Sequence, residues 1–136
     1  MPLWPVIVVA VALLVVWSLV PGIRHGRYRR GIRKRSSAHA EWAAEFLTRM
    51  PLVEQVLGIF CDALLFQRQY RFHFRPEDRV ANVYHGTTGP VADKMQLETL
   101  ALKLRAVFGV YLGSVLNENT TLRDIVALVV AQELER

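Results

Sequence analysis

The side chains that could carry out chemistry are few and lie far apart along the chain. The sequence has four histidines, His25, His39, His73 and His85, and one cysteine, Cys61. No pair of histidines has the spacing to a second type of ligand that a zinc site needs. Cys61 lies in the apolar stretch LGIFCDALLF, which favours a buried structural thiol over a nucleophile. We therefore predict no metal site, no catalytic residue and no enzymatic activity.

The segment HGTTGP, residues 85–90, is the part of the chain that comes closest to a phosphate-binding loop. It lacks the Gly-Lys-Ser/Thr that such a loop uses to hold phosphate and magnesium. No serine stands in the context of a nucleophile elbow either. The composition of this segment therefore predicts a turn-rich connection. The sequence as a whole predicts no bound cofactor.

The positive charge of the protein is concentrated in one short segment. The net charge is +5, from 17 basic and 12 acidic residues. Seven of the 17 basic residues fall within twelve consecutive positions: Arg24, Arg27, Arg29, Arg30, Arg33, Lys34 and Arg35. Without those seven, 10 basic residues remain against 12 acidic ones, a balance of −2. The body of the chain is therefore nearly neutral, and any anionic partner would bind the basic segment.

An apolar stretch directly precedes the basic segment. Residues 3–20 contain no charge, and Trp4 and Trp17 lie near the two ends, as interfacial aromatic residues do. Because the arginines follow the stretch, the positive-inside rule predicts a single-pass helix in the inner, cytoplasmic membrane, with the N-terminus outside and the C-terminal domain in the cytoplasm. The two tryptophans and the seven basic residues would then contact the membrane and its anionic lipid headgroups. A cleaved signal peptide is the alternative.

Nucleic acid is the other anion that a basic segment could bind. The sequence disfavours it, because the segment would adjoin the membrane and Tyr28 is its only aromatic residue.

Beyond the basic segment, the hydrophobic periodicity is helical. Apolar residues recur at steps of three and four over residues 52–65, 97–108 and 122–130. Asp93 with Gln96, and Thr121 with Asp124, have the spacing of capping boxes, and Gly109 is placed to close a helix in the left-handed conformation. We therefore predict an all-α body.

The order of these helices resembles the acyl carrier protein family over residues 51–134. The resemblance is strongest in DKMQLETLALKLRAVFGVYL and NTTLRDIVALVV. Asp93 and Met95 match the family's Asp and Leu, and Lys94 falls on the serine that carries the phosphopantetheine group. A lysine amine cannot form that phosphodiester. The resemblance therefore implies a small carrier-like helical bundle with a degenerate carrier site, Asp93, Lys94 and Met95, that has lost its prosthetic group.

These observations predict three parts of the chain: a transmembrane anchor at residues 1–21, a basic juxtamembrane segment and linker helix at residues 22–50, and a carrier-like domain at residues 51–136. The predicted function is that of a non-catalytic interaction or assembly module, an accessory subunit of a membrane protein complex. Its protein partner would dock on Lys94, Glu98, Lys103 and Arg105. The alternative is a phosphopantetheine-dependent acyl or peptidyl carrier with a non-standard attachment site.

Overall fold

The computed structural model describes residues 2–88, 95–113 and 115–135, without the side chains of residues 18, 20–25, 88 and 95. Within these ranges the chain forms α-helices and two short 3-10 segments, Leu47–Arg49 and Arg68–His73, and no strand, so the prediction of an all-α fold is confirmed. The helices are α1 (Trp4–Lys34), α2 (His39–Phe46), α3 (Met50–Ala63), α4 (Val80–Thr88), α5 (Met95–Phe108) and α6 (Leu122–Leu134).

One hydrophobic core joins the C-terminal half of α1 to the other helices. Ile32 of α1 and Trp42 of α2 are buried together with residues of α3, α4, α5 and α6. Trp42 is 0% exposed, and its indole Nε1 donates a hydrogen bond of 2.9 Å to the carbonyl of Phe74. The core of the helical bundle therefore includes residues that precede position 51.

The helix ends in the C-terminal part follow the sequence signals. The backbone N–H of Asp124 donates to Oγ1 of Thr121, and the Asp124 carboxylate accepts from the backbone of Thr121, which confirms the capping box of α6. Gly109 has a φ of 70° directly after α5, which confirms its role as a left-handed helix stop. The end of α5 and the start of α6 therefore lie where the sequence predicts them, and the first backbone N–H groups of α6, at Leu122 and Arg123, also donate to the distant carbonyls of Asp78 and Pro76.

Three local predictions are wrong. Leu65, the last residue of the predicted apolar periodicity of residues 52–65, lies after the end of α3 and is exposed. The segment from His85 to Thr88 continues α4 and is not a loop. Val107 falls at a step of three after Leu104 in the predicted periodicity of residues 97–108, but it is 50% exposed, because α5 turns that position away from the core that Leu104 and Phe108 enter. The predicted capping box of Asp93 with Gln96 lies partly outside the described residues.

The predicted membrane anchor is also wrong. In the part of the chain that the structure describes, no helix combines the length and the apolar character that crossing a membrane requires. The single-pass topology and the inner-membrane localisation are therefore corrected. The apolar stretch and the basic segment instead belong to one 31-residue helix, α1, and the basic end of this helix packs on the domain.

The backbone of Leu65 is strained, and mutation can measure the free-energy cost of this strain. Its φ is 61°, the left-handed region that β-carbons disfavour, and its side chain is 71% exposed. We expect Leu65→Gly to raise the free energy of unfolding by about 1 kcal/mol, because strain is relieved and no core contact is lost. Gly109→Ala, at a φ of 70°, should lower it by about 1 kcal/mol. Urea denaturation of both variants tests this, and shifts of the same sign would contradict it.

Candidate functional site

The C-terminal half of α1, which contains the basic residues, binds the end of α3 on the side that faces the domain. Arg29 donates from Nη1 to the carbonyl of Leu65 and from Nη2 to that of Leu64, each at 3.0 Å. Its guanidinium lies 4.7 Å from the centroid of the Phe66 ring. Carbonyls at the C-terminal end of a helix lack partners within the helix and carry partial negative charge, so an arginine there is favourable. Burial lowers the pKa of Arg29, and the nearby Arg33 adds to the effect.

A second set of contacts holds the last turns of α1 against the segment that leads into α4. Arg35 forms an ion pair of 2.7 Å with Asp78, and the same Asp78 oxygen accepts from the backbone N–H of Arg75. Nδ1 of His73 lies 3.0 Å from the carbonyl of Ile32. The end of α1 is therefore positioned by polar contacts as well as by the burial of Ile32.

The ring of Tyr28 rests directly on the backbone of α4 at Gly86. A β-carbon built on Gly86 would lie 2.6 Å from Cδ2 and Cε2 of Tyr28, closer than real β-carbons approach any atom. Burial raises the pKa of the Tyr28 hydroxyl, and the charge of Asp78 raises it further. Glycine at position 86 is what allows α1 and α4 to come this close.

The outer face of the same helix half carries exposed cations. Arg27, Arg30, Arg33 and Lys34 are exposed, and we refer to these four as the basic stripe. The structure thus divides the seven basic residues predicted to contact lipid. Arg29 and Arg35 contact the domain and four form the basic stripe, whereas the side chain of Arg24 lies outside the described residues.

The first half of α1 is apolar and exposed on all sides. Every described side chain from position 2 to position 19 is exposed, and we refer to residues 4–19 as the apolar half of α1. Trp4 is 66% exposed, Leu14 69% and Trp17 81%. A helix that is hydrophobic all round is normally buried, and isolated soluble proteins rarely expose so large a contiguous apolar surface. This half of α1 is therefore the strongest candidate for a binding surface.

An apolar pocket of about 450 Å³ opens beside α5. Its lining includes Tyr84 of α4, Leu97 and Ala101 of α5, and Leu112 and Leu116 of the segment that follows. Of the residues predicted to dock a partner, Glu98 lines this pocket. Lys103 is exposed on α5, Arg105 stacks over the ring of Tyr111 at 4.6 Å, and Lys94 lies outside the described residues.

The predicted degenerate carrier site cannot be placed in the structure. Asp93 and Lys94 lie outside the described residues, as does the side chain of Met95, the first residue of α5. Thr87, which carries a hydroxyl and shortly precedes this site in the sequence, is 6% exposed and donates to the carbonyls of Val83 and Tyr84. That hydroxyl is internal to α4 and is not accessible for attachment of a prosthetic group.

Two ion pairs lie beside α3. A polar cleft beside α3 contains Arg68 and Arg71, which pair with Asp62 and Glu54 respectively. The hydrogen bond from Arg68 lowers the pKa of Asp62. Across the described ranges, no group of three or more His, Cys, Asp or Glu side chains is arranged to hold a metal ion.

Cys61 is buried in α3, as predicted, and its reactivity should reflect this. Burial raises the pKa of the thiol to about 12, with a further contribution from the charge of Asp62. Because the thiolate is the reactive form, we expect alkylation by iodoacetamide at pH 8 to be more than about 100-fold slower in the native protein than in denaturant. The folded protein favours the protonated thiol more than the unfolded chain does. The free energy of unfolding should therefore fall as the pH rises from about 9 to 12. Equal alkylation rates with and without denaturant would contradict the burial.

Comparison with known proteins adds no assignment. No family model matches the chain, and neither does any curated protein or any solved structure.

Proposed function

We propose that this protein is a non-catalytic interaction module that presents the apolar half of α1 to a protein partner. The exposure of that half carries the proposal: its large side chains, with Trp17 at 81%, lie in solvent on a helix whose other half is fixed to a packed domain. The domain sets the position and direction of α1, and the partner buries the part of α1 that the domain leaves uncovered.

The energetics favour a partner that surrounds the helix. Burial of apolar surface contributes roughly 25 cal/mol per Å², and a tryptophan buries on the order of 200 Å². Trp4 and Trp17 lie near the two ends of the apolar half, and tryptophan is one of the residues that most often dominate binding energy at interfaces. Since the exposed side chains lie on every side of the helix, the apolar half fits a cavity between several helices of the partner.

The helical domain would be a carrier-like bundle that has been kept for its shape. This proposal rests on the resemblance over residues 51–134, with Lys94 at the position where the family has its modified serine. The intact mass of the protein, purified after co-expression with a phosphopantetheinyl transferase, tests it. We expect the unmodified mass, and a gain of one phosphopantetheine group would favour the carrier function instead.

Co-purification with a matched pair of variants tests the interaction itself. We expect the full chain, tagged at its C-terminus and isolated in mild detergent, to recover a protein partner in constant proportion. Leu14→Gln with Trp17→Gln should abolish recovery, because both side chains are exposed and would be central to the interface. The circular dichroism and unfolding midpoint of this variant should stay unchanged.

The control for this experiment is Leu47→Gln, since Leu47 is 73% exposed on the domain. It should recover the partner as the unmodified chain does. Recovery of the unmodified protein as a lone monomer would contradict the proposed function.

A further inference from the structure

We infer that the partner is a helical protein whose apolar cavity ends in an acidic rim, which lies against the basic stripe. This inference rests on the proposed function and specifies the chemistry of the partner. The apolar half and the basic stripe belong to one continuous helix, so a partner that encloses the first also meets the second.

The spacing of charge along α1 gives the geometry of that rim. Arg27, Arg30 and Lys34 are separated by three and four positions, which places them on one face of the helix. This face is directed away from the domain, because Tyr28, Arg29 and Ile32 contact the domain on the other side of the helix. Arg27 follows Trp17 by ten residues, or about 15 Å along the helix. The acidic residues of the partner therefore lie about 15 Å beyond the pocket that holds Trp17.

A second copy of this chain does not satisfy the pattern. If two α1 helices paired in parallel, the basic stripe of one would face the basic stripe of the other, and like charges at close range repel. If the two apolar halves paired antiparallel, each would cover only one side of the other, and the remaining sides of both would stay exposed. The charge pattern and the exposure on all sides therefore favour a different protein over self-association.

Nucleic acid and a lipid surface each supply only part of what α1 requires. A nucleic acid presents phosphates to the basic stripe but has no apolar cavity for Trp4 and Trp17. A helix that lies in a lipid interface needs a polar face along its length, whereas the apolar half of α1 is apolar all round. A protein with an apolar cavity and an acidic rim would bury the apolar half of α1 and pair with the basic stripe.

Two synthetic helical bundles serve as probes. Each bundle lacks one helix, so that leucine side chains line an open apolar cavity, and the positions at the rim of that cavity are glutamate in one bundle and lysine in the other. Titration of the fluorescently labelled full chain should give a dissociation constant at least about 10-fold lower for the glutamate bundle, since several charge pairs each contribute a fraction of a kcal/mol. Arg27→Glu with Arg30→Glu should remove this preference. Arg79→Glu with Arg123→Glu, which makes the same change of charge at two exposed positions of the domain, should preserve it within about twofold.

The possible results separate this inference from the proposed function. Equal binding to both bundles would overturn the acidic rim and leave the proposed function standing. Loss of preference in the Arg79→Glu, Arg123→Glu variant would also overturn the acidic rim, because the charge on α1 would then not be the specific determinant. Tighter binding to phosphatidylserine vesicles or to duplex DNA than to the glutamate bundle would also overturn the acidic rim. Binding to none of these probes would contradict the proposed function as well.

Discussion

Gly86→Ala is expected to loosen the docking of α1 on α4 and to lower the free energy of unfolding by about 1–3 kcal/mol. The new methyl group would occupy the space of the Tyr28 ring, 2.6 Å from its nearest carbons, and both helices are held by further contacts that resist displacement. The gain in helix propensity from glycine to alanine, about 1 kcal/mol, offsets only part of this cost. Urea denaturation measures the difference.

Gly31 provides the matched control for this substitution. It also lies within a helix, α1, but a β-carbon there would meet no atom within 4 Å. Gly31→Ala should therefore stabilise the protein by up to about 1 kcal/mol. Combining Gly86→Ala with Tyr28→Ala should cost less than the sum of the two changes, because the clash disappears. A stabilising effect of Gly86→Ala alone would contradict the close contact.

Trp42→Ala should destabilise the protein by about 3–5 kcal/mol, enough to unfold many small domains. The indole is 0% exposed, and its removal leaves both a cavity and the Phe74 carbonyl without its donor. Trp17→Ala, at 81% exposure, should change stability by less than about 0.5 kcal/mol. Thermal unfolding of the two variants, followed by circular dichroism, gives the comparison.

The same core contacts predict that a chain beginning at residue 51 cannot fold by itself. It would lack Ile32, Ala38 and Trp42, which are buried against the rest of the bundle. We expect broad amide signals and no cooperative unfolding transition for residues 51–136. A cooperative transition like that of the full chain would show that the first helices are dispensable for folding.

The sequence correctly predicted helix ends and buried helix positions where residues close together in the chain determine them. Thr121 with Asp124 specifies the start of α6, and Gly109 the end of α5, because each signal acts within a few residues. The buried positions of α6, Leu122, Ile125, Val126 and Val129, follow from periodicity alone.

The side of α1 that packs on the domain could not be predicted from the sequence. Arg29 and Arg30 are identical in type and adjacent in sequence, yet one binds the end of α3 and the other is exposed. The difference depends on which side of α1 faces a helix end about 35 residues further along the chain. Gly86 suggested a loop for the same reason: glycine and threonine favour turns locally, but the contact with Tyr28 is made across the fold.

Site-specific photocrosslinking in living cells tests the central claim most directly. A photoreactive amino acid at position 14, where leucine is 69% exposed, would report what surrounds the apolar half of α1. The same residue at position 47, where leucine is 73% exposed on the domain, is the control. We predict one discrete crosslinked protein from position 14 that is absent from position 47. Crosslinks to lipid alone, or no crosslink at position 14, would contradict a protein partner.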